Sequence, residues 1–371
     1  MAITDPVGLG GGEGPRFVAT VLPIPLRQVR LGDAAQGGWA DEVDGFELAQ
    51  PVDWRSGPLV RAVHIAGPGQ VHDLILTLPH SVADGTTALS LLRQWVRLAA
   101  APPVRVVVGP QQMPEPLEAL FPAREPFVGG PLGQGADAGA GGEVVGRLEP
   151  ERFVPFDLRR TRMLHRALSG AVLGRLTAAC RREGATLDGV LAAGLACAVA
   201  RDAEAAPAAR FAVGSRVSLR EELARAVDED EVGCFVSALH SVVSCRPDDL
   251  WAMARFVRDD IAARKKRGEQ YEAFDRLAEQ GPWGVADCEP FVRHLEEHGP
   301  FNFFVSNVGR FEFPTQLGSW RLSGAQFVGG ISVAGYFGSS VTTSQGQLSW
   351  NFTYIDQAVS RDRAERVVDD A

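Results

Sequence analysis

Between residues 71 and 99 the sequence changes its period, and that change restricts the fold more than any other feature. VHDLILTL (71–78) is an apolar run of strand length. PLVRAVHI (58–65) is a second such run, joined to the first by the turn-rich AGPG at 66–69. Beyond residue 85, TTALSLLRQWVRLAA sets Leu89, Leu92, Trp95, Val96 and Ala99 at helical spacing. Residues 79–85 are therefore a short strand-to-helix connection, which predicts a layered α/β (α+β) architecture.

The rest of the chain supports that class. A strand-like stretch begins at Phe17 (FVATVLPIPLRQVRL), after a glycine-rich start at 8–14. GGPLGQGADAGAGGE (129–143) has the composition of a linker and predicts an N-terminal domain over 1–145 and a C-terminal domain over 146–371. A chain of 371 residues suits two domains of common size. In the second half, LTAACRREGATLDGVLAAGLACAVARD predicts two helices broken near Gly184, the second capped by Thr186. Residues 211–219, 301–309, 325–333 and 347–355 read as strands, and 249–266 as a helix. The last helix begins after Ser360, a candidate cap.

The chemistry centres on LPHSVADG (78–85). His80 stands where an apolar strand ends, a position from which a side chain can face a cleft. Its imidazole can take a proton from a hydroxyl or amine near neutral pH. Asp84, four residues on, can hold the turn by pairing with an arginine from elsewhere. Gly85 permits a backbone conformation other residues avoid, or a close approach to a neighbouring strand. No GxSxG elbow or phosphate loop occurs. His240, His294 and His298 lack convergent metal spacing with acidic partners, and no metal is expected.

Other classes are disfavoured by composition. A net charge of −9 argues against duplex nucleic acid as a partner. The dense basic run 264–267 reads as the exposed face of a helix end, or more sharply as a contact for phosphates of coenzyme A or phosphopantetheine. Asp228, Glu229, Asp230 and Glu231 read as a solvated loop. The five cysteines are odd in number, widely spaced and without a CxxC pair, the usage of a reduced, cytoplasmic protein rather than a disulfide or zinc framework. No run reaches the ~20 apolar residues of a membrane span, and the first residues lack the features of a secretory signal.

LTLPHSVADGTTALSLL resembles the HxxxDG active-site motif of the condensation-domain superfamily, which holds nonribosomal peptide condensation domains and the plant, carnitine, chloramphenicol, polyketide-associated and alcohol acyltransferases. QPVDWRSGPLVRAVHI, SRVSLREEL, FVSNVGRFEFP and QLSWNFTYIDQAVSRDRAERVVDD resemble further family segments in the family's order, from about residue 17 to the end. The polyketide-associated and alcohol acyltransferases are the nearest branch. The resemblance implies two chloramphenicol-acetyltransferase-like domains in a V, with a tunnel at their interface. It implies His80 as general base, Asp84 paired with Arg220, Gly85 structural, and Ser81, Asn307 and Gly309 along the tunnel. No tightly bound cofactor is implied. The donor is an acyl-CoA or the phosphopantetheine thioester of an acyl carrier protein, and the acceptor is a small molecule.

Two departures refine the expectation. Peptide-forming condensation domains usually carry two adjacent histidines, and here the first is Pro79. This tilts the reading from amide formation towards transfer to a hydroxyl of a secondary metabolite or lipid. The family's opening helix and strand have no counterpart before residue 17, so either the chain starts late or its first domain lacks an edge. The second feature keeps open a non-catalytic or repurposed member that binds a carrier protein or small molecule. A monomer or weak dimer is expected.

Overall fold

The computed structural model describes residues 2–4, 16–18, 20, 22–32, 38–101, 115–128, 145–282, 285–331 and 335–371. The glycine-rich stretches at 8–14 and 129–143 lie outside the described residues. The chain divides into two compact units. The first holds Met1–Glu115 with Asp228–Phe235 and Gln316–Arg321; the second holds Pro116–Val227, Val236–Thr315 and Leu322–Ala371.

In the first unit, β1 (Ala2–Thr4) pairs antiparallel with β2 (Arg16–Val18). The main sheet has the order β3–β4–β5, with β3 at Leu26–Arg30, β4 at Arg61–Ala66 and β5 at His72–Thr77. β3 runs parallel to β4, and β4 pairs antiparallel with β5, placing His64 opposite Leu74. The AGPG segment makes the reversal, with Gly69 at φ +66°. Val63 and Ile65 of β4 are buried on one face of the sheet, and Ala62 is buried on the other. Buried Glu47 ties the three strands together: its carboxylate accepts from Arg61 Nε at 2.7 Å, from Arg27 Nη2 at 3.3 Å and from the Thr77 hydroxyl. After β5 the chain enters helix α2 (Gly85–Ala100), the strand-to-helix step read from the sequence; the short α1 is Trp39–Glu42. Two further short strands, β10 (Gln316–Leu317) and β11 (Trp320–Arg321), form a hairpin.

The second unit is built on a six-stranded sheet of order β6–β13–β12–β9–β7–β8. Its strands are β6 (Thr161–Leu168), β7 (Arg210–Ser218), β8 (Val236–Ser244), β9 (Phe303–Arg310), β12 (Phe337–Ser344) and β13 (Gln347–Ile355). β12 and β13 form a hairpin whose two turn residues, Gln345 and Gly346, both have positive φ, the turn that matches strand twist. Helices α3 (Gly170–Arg182), α4 (Leu187–Asp202), α5 (Leu250–Lys266), α6 (Glu272–Gln280), α7 (Val285–His298) and α8 (Arg361–Asp370) complete it. Helix α4 is the centre of the core: residues 189–200 are all buried, against α5, α8, β7 and β9. Its small residues allow that; a Cβ on Gly189 would run into the carbonyl oxygen of Ala254 in α5. Thr186 caps α4 as expected, accepting from Gly189 N at 3.0 Å. Among the described residues no single helix is long and apolar enough to cross a membrane.

Three readings need correction. Residues 325–331 form no strand; side chains of β12 and β13 satisfy their backbone instead. Gly329 N donates to Ser340 Oγ at 2.8 Å, Phe327 N to Thr342 Oγ1 at 3.3 Å, and Thr353 Oγ1 donates to Gly329 O at 3.0 Å. Ser360 occupies the cap position of α8, but its hydroxyl donates to Glu151 at 2.7 Å rather than closing the helix. The basic run is only partly an exposed face: Lys266 and Arg267 are exposed, Lys265 is half-buried and Arg264 is buried. Arg264 is buried between Asp260 and Glu269 at 3.0 and 2.8 Å, Lys265 pairs with Glu222, and Arg267 pairs with Glu269 at 2.6 Å. Three of its four charges are paired within the fold.

The close approach of α4 to α5 predicts the behaviour of Gly189→Ala. Helix propensity alone favours alanine by about 1 kcal/mol. Overpacking against the Ala254 carbonyl costs about 1–3 kcal/mol, so urea unfolding should show a net loss of stability. A more stable variant would contradict the packing described.

Candidate active site around His80

The connection from β5 to α2 is held from both ends, which leaves little freedom for His80 between them. Val82 and Ala83 are buried against Leu59, with Val52, Trp54 and Leu78 around them. Val82 N closes a turn onto Pro79 O at 3.1 Å. With the two apolar residues facing inward, His80 and Ser81 face solvent.

Asp84 is the cap of α2 and is 7% exposed. Its Oδ1 accepts from Thr87 N at 2.7 Å, satisfying a backbone donor at the helix start. Its Oδ2 accepts from Phe235 N at 2.9 Å, and its own N–H donates to Gly233 O at 3.1 Å. Thr87 Oγ1 also donates to Gly233 O, at 2.7 Å. One face of α2 continues the attachment: Ser90 bonds to Asp230, and buried Arg93 reaches Asp230 at 2.8 Å and Glu229 at 3.3 Å. The bonds from Ser90 and then Arg93 hold the Asp230 carboxyl below the usual range. Of residues 228–231, read as a solvated loop, Asp228, Glu229 and Asp230 are exposed and Glu231 is half-buried, and the segment is anchored. Gly85 opens α2 with ordinary helical backbone, outside the left-handed region.

His80 Nδ1 lies 2.9 Å from Ala83 O. A carbonyl oxygen can only accept, so Nδ1 carries the proton and Nε2 keeps its lone pair. The ring is thus fixed as the tautomer with the proton on Nδ1 and the lone pair on Nε2, in an exposed side chain. Cys234 Sγ is 3.6 Å from the same Nδ1. No local signal marks that cysteine, because it arrives from 154 residues away.

The remaining expected residues lie in the second unit. Arg220 follows β7, is buried, and donates its backbone N–H to Ser218 Oγ at 3.3 Å. Asn307 is on β9; its Oδ1 accepts from Gly309 N at 2.8 Å, where Gly309 turns the strand with φ +71°. Asn307 also hydrogen-bonds Asp188 in the first turn of α4. Sequence reading missed Asp188. The residue keeps part of its surface accessible, yet burial of its carboxyl pushes it up to about 6, with the Asn307 bond opposing the shift.

Two predictions follow from these contacts. Asp84→Ala removes the cap and leaves the Phe235 N–H without its acceptor, so urea unfolding should show a loss of about 2–4 kcal/mol. A loss within experimental error would mean the clamp is not formed. For Asp188, the folded value lies above the ordinary 3.8, so its contribution to stability is whole below 3.8 and is lost as pH rises through about 6. Asp188→Asn, which stays neutral, should raise the melting temperature at pH 8, by at most about 3 kcal/mol in stability, and leave it unchanged at pH 4. Equal effects at both pH values would contradict the shift.

Solved structures similar to this chain share its fold at low identity. Polyketide synthase associated protein 5 from Mycobacterium tuberculosis is 16% identical with a TM-score of 0.57, covering 99% of this chain and 84% of that one. SgcC5 protein from Streptomyces globisporus is 16% identical at 0.59, covering 100% and 82%. The first condensation domain of the calcium-dependent antibiotic synthetase is 17% identical at 0.60, covering 98% and 76%. No curated protein matches the chain. The family described as phthiocerol/phthiodiolone dimycocerosyl transferase C-terminus matches residues 159–349, just over half of the sequence. The chain therefore shares the fold of condensation domains and belongs to the family described as phthiocerol/phthiodiolone dimycocerosyl transferase C-terminus.

Proposed function

We propose that this protein is an acyltransferase that moves an acyl group from a thioester to a hydroxyl of a secondary metabolite or lipid, with His80 as general base. The donor is an acyl-CoA or an acyl carrier protein. Family membership supports the reaction class. The observation that carries the role of His80 is its Nδ1–H bond to Ala83 O, which leaves the lone pair on Nε2 of an exposed side chain.

In this reading Nε2 removes the proton of the acceptor hydroxyl as its oxygen attacks the thioester carbonyl. The imidazolium so formed keeps its Nδ1–H on Ala83 O, a bond that strengthens when the ring is charged. Nε2–H then protonates the departing thiolate, and the ring returns to its starting state. The reaction needs a donor for the oxyanion of the tetrahedral intermediate; the Ser81 hydroxyl, exposed beside His80, is the candidate on this side of the site.

The test is thioester consumption followed with a thiol reagent, with and without candidate alcohols. His80→Ala should lower turnover by about 10²–10⁴-fold, the usual range for general-base catalysis. Turnover near that of the unaltered protein would remove His80 from the mechanism.

A further inference from the structure

Three sulfur atoms meet in the core of the second unit. Cys197 stands on α4, Met253 on α5 and Cys245 directly after β8, and all three are buried. Cys197 Sγ lies 3.8 Å from Met253 Sδ, and the Cys197 and Cys245 thiols hydrogen-bond to each other. Sulfurs bound at about 2.3 Å around one ion stand about 3.8–4.0 Å apart. The spacing from Cys197 to Met253 is therefore already that of two ligands on one ion. Backbone groups fix the other two sulfurs: Met253 Sδ accepts from Arg246 N at 3.2 Å, and Cys245 Sγ lies 3.5 Å from the carbonyl oxygen of Ala196, the neighbour of Cys197. The hydrogen bond with Cys245, helped by the charge of Arg201, pulls the Cys197 thiol down, so this sulfur is the first to lose its proton. Two thiolates and a thioether are soft donors, a set that suits copper(I) and not magnesium or calcium. Structural zinc takes a shell of four, which three sulfurs do not complete.

We propose that Cys197, Cys245 and Met253 form a binding site for one copper(I) ion, which pins α4, α5 and the end of β8 together. The ion takes the place of two protons. Each S–H bond breaks, each thiolate sulfur bonds to copper, and both protons pass to solvent. Met253 adds a lone pair from its thioether. Copper stays monovalent throughout, so no oxidant or reductant is consumed. Burial of the three sulfurs makes both entry and loss of the ion slow. The site is separate from His80 and independent of the acyl transfer proposed above.

The test uses the full-length protein with Cys234→Ser and Cys288→Ser, which removes the two thiols that are not fully buried. It is kept reduced under nitrogen and incubated overnight with the copper(I) complex of bicinchoninate. One copper per chain should leave the coloured complex, and X-ray absorption should show sulfur ligands alone. Adding Cys197→Ser and Cys245→Ser should leave the copper with the dye. Met253→Leu conserves volume and so keeps the fold; it should weaken copper retention by about tenfold. Copper should raise the melting temperature of the parent and raise that of the Met253→Leu chain less. Copper that stays with the dye, nitrogen or oxygen ligands around bound copper, or equal retention by the Met253→Leu chain overturns the site. A copper-free chain two hydrogens lighter, with Cys197 and Cys245 joined as a disulfide, overturns it as well.

Discussion

One carboxylate joins the parts of the site in the first unit. Asp84 accepts the Thr87 N–H at the start of α2 with one oxygen and the Phe235 N–H with the other. Hydrogen bonds to a charged acceptor contribute about 1.5–3 kcal/mol each, more than neutral ones. The first bond sets where the helix begins and so where the turn before it must end. The second draws a segment from far along the chain to the same point. His80 lies inside the turn, and Cys234 inside the drawn-in segment, so their meeting follows from the two bonds of Asp84.

The division of labour within residues 79–85 follows from solvation. Val82 and Ala83 lose contact with water and hold the turn down. Asp84 is buried, but both of its oxygens are hydrogen-bonded, which offsets the cost of burying charge. His80 and Ser81 keep their access to solvent. The Ala83 carbonyl fixes the His80 tautomer from within the same turn. The proposed general base is therefore oriented by local contacts and then secured by distant ones.

That difference explains what sequence reading could and could not find. The strand, turn and helix from 71 to 100 were legible because periodicity reports local burial, and both the His80–Ala83 contact and the Asp84 cap span only three residues. The contacts of Asp84 with Phe235 and of His80 with Cys234 span more than 150 residues, and nothing in composition signals them. The strand reading failed over residues 325–331 for a different reason. Their apolar pattern is strand-like, but polar side chains of β12 and β13, among them Ser340, Thr342 and Thr353, take up their backbone groups. The basic run at 264–267 was misread through charge alone, although Asp260, four residues before Arg264, was an available partner in the sequence. Arg220, Asn307 and Gly309 were noticed from family resemblance; Asp188 was not, because a buried acid in a helix start carries no pattern of its own.

The central claim is that His80 presents a basic Nε2 while Nδ1 is held protonated by the Ala83 carbonyl. Nitrogen-15 NMR of histidine-labelled protein reads this directly, with His80 assigned among the seven histidines by its loss in His80→Gln. At a pH where the ring is neutral, the account predicts that Nε2 gives the unprotonated resonance and Nδ1 the protonated one. An unprotonated Nδ1, or a ring whose two tautomers are evenly mixed, would contradict it.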